Sequence, residues 1–110
     1  MISTTYRAAI TLLLAVPVAF APEEASAFEI ITGKVTNIEA TYMPDTVRFY
    51  LTGGSASCAA GRVLVWKRTA DNNKAVYAGV LSALSNEKNV ILYVNDGDTS
   101  CTGQFIYFSK

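Results

Sequence analysis

From Phe28 onward, apolar residues recur mostly at every second position, in short runs separated by turn chemistry, which predicts strands. The first expected strand is Glu29 to Thr41, long and rich in β-branched residues, with Gly33 as a bulge or bend. "MPD", Met43 to Asp45, makes a turn. The second strand, Thr46 to Thr52, alternates: Val47, Phe49 and Leu51 point one way, Arg48 and Tyr50 the other. A glycine- and serine-rich loop, Gly53 to Gly61, leads into a third strand from Arg62 to Arg68. The fourth is expected over Asn89 to Val94, and the fifth over Gln104 to Phe108 after the turn "NDGD".

Between the third and fourth strands the pattern becomes helical. Asp71, Asn72 and Asn73 all suit a helix start, and the segment runs out near Asn86. At about 100° per residue, Tyr77, Val80, Leu81 and Leu84 share one face, expected to rest on the sheet. The opposite face holds Ala75, Ala78, Gly79, Ser82 and Asn86. Glycine inside an exposed helix costs about 1 kcal/mol relative to alanine. Close approach of another backbone to this smooth face would account for Gly79; the alternative is that the position is simply tolerated.

Three strands, one helix and two strands is the element order of an OB-fold, a small five-stranded barrel with its helix between strands 3 and 4. The alternative is an open α+β sheet with the helix across one face. Several strands are apolar on both sides. Ile91 and Tyr93 oppose Val90, Leu92 and Val94, and Leu64 and Trp66 oppose Val63 and Val65. The surplus calls for cover by the helix, a neighbouring subunit or a ligand, so association through strand edges is expected.

The first residues change the picture of where the chain works. Arg7 is the only charge before an apolar run from Ala8 to Ala21, which suits a secretory signal peptide. At about 14 residues the run is short for a membrane span, which needs roughly 20; a retained N-terminal anchor is the alternative reading. Pro22 disfavours cleavage after Ala19-Phe20-Ala21, so the expected site is Ala25-Ser26-Ala27. Residues 1–27 are then the signal peptide and 28–110 a single secreted or periplasmic domain with no membrane span after processing. The nine basic and nine acidic residues include Arg7, Glu23 and Glu24 in the leader. The mature chain is therefore near neutral, which argues against a nucleic-acid partner.

A domain this small benefits from a crosslink. Cys58 and Cys101 are the two cysteines, and an even count in an exported chain predicts a disulfide. Closing a loop of about 44 residues is worth roughly 4 kcal/mol in the chain-entropy account. Other chemistry is sparse. Histidine is absent, which removes the commonest general base and the usual triads and leaves no metal site to expect. "NDGD" lacks the ligand ladder of a calcium loop, and no Gly-Lys-Ser/Thr follows Gly53, Gly54 or Gly61 to make a phosphate loop. No cofactor and no catalytic residue are expected. The aromatic residues remain for recognition: Tyr50, Tyr93 and Tyr107 opposite core positions, Tyr42 by a turn, and Trp66 before Lys67 and Arg68. For each, packing in a core or subunit interface is the competing use.

"ITGKVTNIEATYMPDTVRFYLTG", Ile31 to Gly53, and "KAVYAGVLSALSNEKNVILYV", Lys74 to Val94, with a cysteine near the end, resemble the B subunits of subtilase cytotoxin and the related typhoid-toxin binding subunit. The resemblance implies an OB-fold pentamer that binds host-cell glycans beneath an exported enzymatic partner subunit. It would turn Ala75, Ala78, Gly79 and Ser82 toward a central pore. Thr32 stands where that family places a serine that contacts sialic acid, and Lys34 and Tyr50 would be its neighbours by strand alternation. The chain departs from the family in two places. Phe49, Tyr50 and Leu51 stand where it has an extra cysteine, and the segment before the last cysteine shrinks to "NDGDTS".

The leading expectation is an exported, non-enzymatic, homo-oligomeric binding module for glycans. The alternatives are a periplasmic inhibitor or accessory protein of the same fold without glycan binding, and an OB-fold nucleic-acid binder. The last conflicts with the near-zero charge, since single-strand binders need a basic groove.

Overall fold

The computed structural model describes residues 27–110, so the expected signal peptide and its cleavage site lie outside the described residues, Ala27 apart. Strand β1, Phe28–Glu39, is long enough to serve two partners. Its first half, Phe28 to Lys34, pairs antiparallel with β4, Asn89–Asn95. Its second half, Val35 to Glu39, pairs antiparallel with β2, Val47–Leu51. β3, Leu64–Trp66, lies outside β2, and β5, Gly103–Ser109, outside β4, giving the order β3-β2-β1-β4-β5. The ladder does not close into a barrel. Its two edges meet at one parallel bridge, Val65 to Thr102, where the Val65 amide donates to the Cys101 carbonyl at 3.0 Å.

The register shift in β1 falls between Val35 and Asn37, so Thr36 is the extra residue rather than the expected Gly33. Gly33 has a different use. A Cβ there would lie 2.5 Å from Thr52 Oγ1 and 2.6 Å from the Gly53 nitrogen. Only a bare backbone lets β1 cross the chain leaving β2 this closely. The crossing is sealed by the Thr52 amide donating to the Lys34 carbonyl and the Lys34 amide donating to Thr52 Oγ1, both at 3.0 Å.

Alternation within the strands is as the sequence predicts. Val47, Phe49 and Leu51 are buried on one face of β2, and Val90, Leu92 and Val94 on one face of β4. With Ile31, Val35, Leu64 and Trp66 they form one core, capped by Val76, Val80 and Ala83 of the helix α1, Ala70–Asn86. This is a mainly β protein with one helix and a five-stranded antiparallel sheet, the helix coming between strands 3 and 4 in the chain.

The helix differs from expectation in start and in rotation. Thr69 is the N-cap, its Oγ1 accepting from the Asn72 amide, so Asp71, Asn72 and Asn73 lie inside the helix. The buried stripe is Asn73, Val76, Val80 and Ala83. Of the expected face only Val80 is buried; Tyr77 is half-buried, while Leu81 and Leu84 are 44% and 36% exposed. Asn73 supplies the reason. Fully buried, it donates from Nδ2 to the carbonyls of Pro44 and Asp45 at 2.9 and 2.8 Å, and its Oδ1 accepts from the Arg68 amide at 2.8 Å. Such a buried amide is costly unless satisfied, so its partners fix the turn of the helix about its axis. Ala83 then lets the last turns lie close to the sheet where a leucine would hold them off.

Replacing Asn73 with alanine would strand the Arg68 amide and two turn carbonyls. The expected loss is about 3 kcal/mol, read as a lower urea midpoint at unchanged slope, whereas Ser85→Ala on the exposed face should change stability by less than about 0.5 kcal/mol.

Candidate functional site

The outward side of β1, β4 and β5 is an apolar surface built by strand alternation. β1 contributes Phe28, Ile30, Thr32 and Lys34; β4 contributes Ile91 and Tyr93; β5 contributes Phe105 and Tyr107. Register sets these in rows, Ile30–Tyr93–Phe105 and then Thr32–Ile91–Tyr107. Four rings interlock within it. Phe28 meets Phe105 and Tyr93 edge-on at 5.5 and 6.0 Å, and Tyr93 meets Phe105 and Tyr107 at 6.1 and 5.7 Å between centroids. Edge-to-face packing holds aromatic rings in defined positions, yet Ile30, Phe105 and Tyr107 each keep about half their surface in water. The surface is graded, apolar at the Phe28 end and polar at the Thr32–Lys34 end.

Of the residues expected to bind ligand, Thr32 and Lys34 share this face, and Thr32 is exposed in the same row as Tyr107. Lys34 has a second attachment. Its Nζ donates to the Glu87 carbonyl at 3.1 Å and to Asn89 Oδ1 at 3.3 Å. Glu87 is the left-handed C-cap of α1, so the ammonium neutralises the negative end of the helix. Tyr50 is not brought to this group. It stands on β2 opposite Asn37, beyond the Thr36 bulge. Tyr42 is elsewhere too, beneath the Arg48 guanidinium at 4.7 Å. The sequence pattern does not single out Phe28, Ile30 and Phe105. Their alternation was legible, but nothing in it says which apolar face stays uncovered.

On the helix, Ala75, Ala78 and Ser82 are exposed as expected. Gly79 is half-buried, and its neighbour is a side chain of the same molecule: a Cβ at this position would lie 2.5 Å from the Phe108 ring. The glycine thus makes room for Phe108, with no second backbone needed to account for it. Between α1 and β5 runs an open groove of about 480 Å³, lined by Trp66, Ala75, Val76, Gln104, Ile106 and Phe108.

The end of the sheet next to Phe28 is held by two ties. Cys58 and Cys101 form the expected disulfide, with Cα atoms 5.8 Å apart. Beside it the Glu29 carboxylate accepts from Ser55 Oγ at 2.6 Å, the Ser57 amide at 2.9 Å, Ser57 Oγ at 2.7 Å and the Gly97 amide at 3.0 Å. One side chain on β1 therefore grips both the loop after β2 and the turn after β4. These donors, the Ser55 hydroxyl first, hold the Glu29 carboxyl far below its ordinary value. Asp98 is likewise lowered, chiefly by the Ser100 hydroxyl at 2.6 Å. Both carboxylates accept hydroxyls and amides of the loops around them, and so shape the turns.

Because the folded protein favours ionised Glu29, it binds fewer protons than the unfolded chain below the ordinary value of 4.5. The carboxylate's contribution is complete above that pH and fades as pH falls toward the depressed folded value. Glu29→Gln should lower the urea midpoint at pH 7, and its deficit against wild type should narrow as pH drops below 4.5. No protein-family model, curated protein or solved structure matches the chain.

Proposed function

We propose that the chain is an exported, non-enzymatic binding module of OB type that self-associates and takes glycans on the outward face of β1, β4 and β5. The observation carrying this reading is the graded surface itself. Fixed aromatic rings at Phe28, Tyr93, Phe105 and Tyr107 stand next to the hydroxyl of Thr32, and Tyr107 and Thr32 share one row. Sugar rings stack their C–H faces on aromatic groups while hydroxyls orient them, in a site that is mostly formed beforehand. The OB assignment draws support from the strand order and from the parallel bridge at Val65–Thr102, which brings the first and last strands of that order together.

Export is supported by the disulfide, which suits an oxidising compartment. Among the described residues, no helix is long and apolar enough to cross a membrane. The non-enzymatic reading is supported by the lack of histidine and by both sulfurs being bonded to one another. An exported enzymatic partner belongs to this proposal through the family resemblance alone, which also makes a pentameric ring the alternative form of self-association. A second reading, an accessory or inhibitory protein without glycan binding, is favoured by the unpaired outer edge of β5.

A glycan array probed with the mature protein should give defined hits. Tyr107→Ala should weaken them about tenfold, equivalent to roughly 1.4 kcal/mol, and Thr32→Ala should weaken or redirect them. An empty array, or hits indifferent to both substitutions, would move the assignment to the second reading.

A further inference from the structure

We infer that β5 is a dimer edge, two copies of the chain pairing their β5 strands antiparallel about Ile106 so that their sheets run on as one. This rests on the self-association in the reading above and specifies its surface and symmetry. β5 is an edge strand of the sheet, and its backbone pairing toward β3 is limited to the Val65–Thr102 bridge, with the Trp66 ring close against Gly103. Beyond that point Arg68, lying over the Trp66 ring, reaches it by donating from Nη2 to the Gln104 carbonyl at 2.9 Å. The bulge in the β4–β5 pairing also lies at that end, between Tyr93 and Val94. From Phe105 to Ser109 the edge has none of the lysines, prolines or bulges by which monomeric proteins guard an open strand.

Three of the exposed large apolar residues, Phe105, Tyr107 and Phe108, lie on this one strand. A water-exposed aromatic edge of this kind marks an interaction surface. Charge selects the partner. Gly103 to Ser109 contains no charged residue, so an identical strand can lie against it with no like charges opposed. The mature chain is near neutral and offers no long-range repulsion to a second copy. A charged peptide would find nothing on β5 to pair with. Centring on Ile106, the midpoint of Gly103–Ser109, sets Phe105 against the partner's Tyr107 and Ile106 against the partner's Ile106, an isologous contact in which each strand meets its own kind. The groove beside β5, lined in part by the small Ala75, leaves room for the incoming strand. Pairing also joins the two outward aromatic faces, so the proposed glycan surface is doubled and continuous.

Sedimentation equilibrium on the mature chain tests this. Wild type should be a dimer. F105K/Y107K and F105E/Y107E, each opposing like charges across the seam, should dissociate at least about a hundredfold more readily, with unchanged circular dichroism. An equimolar mixture of the two should recover a one-to-one dimer. Independently of any variant, β5 amides of wild type should exchange more slowly as its concentration rises. A wild type that stays monomeric would overturn this inference and the self-association reading together. A larger oligomer indifferent to the lysine pair, a mixture that stays monomeric, or exchange that ignores concentration would overturn the β5 dimer alone.

Discussion

The tie between the loop after β2 and the turn after β4 is the constraint on which the rest of the molecule depends. Cys58–Cys101 links the two segments covalently, and Glu29 grips both from β1 through Ser55, Ser57 and Gly97. Those segments lead directly into β3 and β5, the two ends of the sheet. The Val65–Cys101 hydrogen bond therefore forms where the disulfide places it, and a five-stranded ladder that is not continuous around its circumference still encloses one core. A small domain with a modest core gains from such a staple, because the crosslink restricts the unfolded chain as well as organising the folded one.

From that tie follow the features with functional meaning. Backbone pairing between the two edges is confined to the Val65–Thr102 bridge, so the rest of β5 has no strand on its outer side. The helix covers the inward side of the sheet and leaves the outward side of β1, β4 and β5 to solvent. Phe28, Tyr93, Phe105 and Tyr107 fill that side with rings locked against one another. The proposed recognition and self-association thus fall on neighbouring surfaces of the same three strands.

Much of this architecture is legible from local pattern. Alternation in Val47–Leu51 and Asn89–Val94 gives the correct inward residues, and two cysteines in turn-like sequence give the correct bridge. The rotation of α1 is not legible in that way. Its apolar residues spread over two adjacent faces, and the choice between them is made by Asn73, a polar residue whose partners at Pro44 and Asp45 are far off in sequence. Gly79 is similar, since its reason is the Phe108 ring on another element. The bulge at Thr36 answers to β1 changing partner from β4 to β2, a tertiary demand that no residue type announces. The candidate surface was legible only as a set of outward positions. Period-2 patterning identifies two faces of a strand, and which one remains open depends on where the helix lies.

Hydrogen exchange at single amides, comparing the oxidised and reduced chain under conditions where both remain folded, tests the central claim most directly. If the staple holds the two edges together, reduction should release the Val65 amide to rapid exchange while amides of the β1–β4 ladder keep their slow rates. Retained protection at Val65, or an equal fractional loss across the β1–β4 ladder, would contradict it.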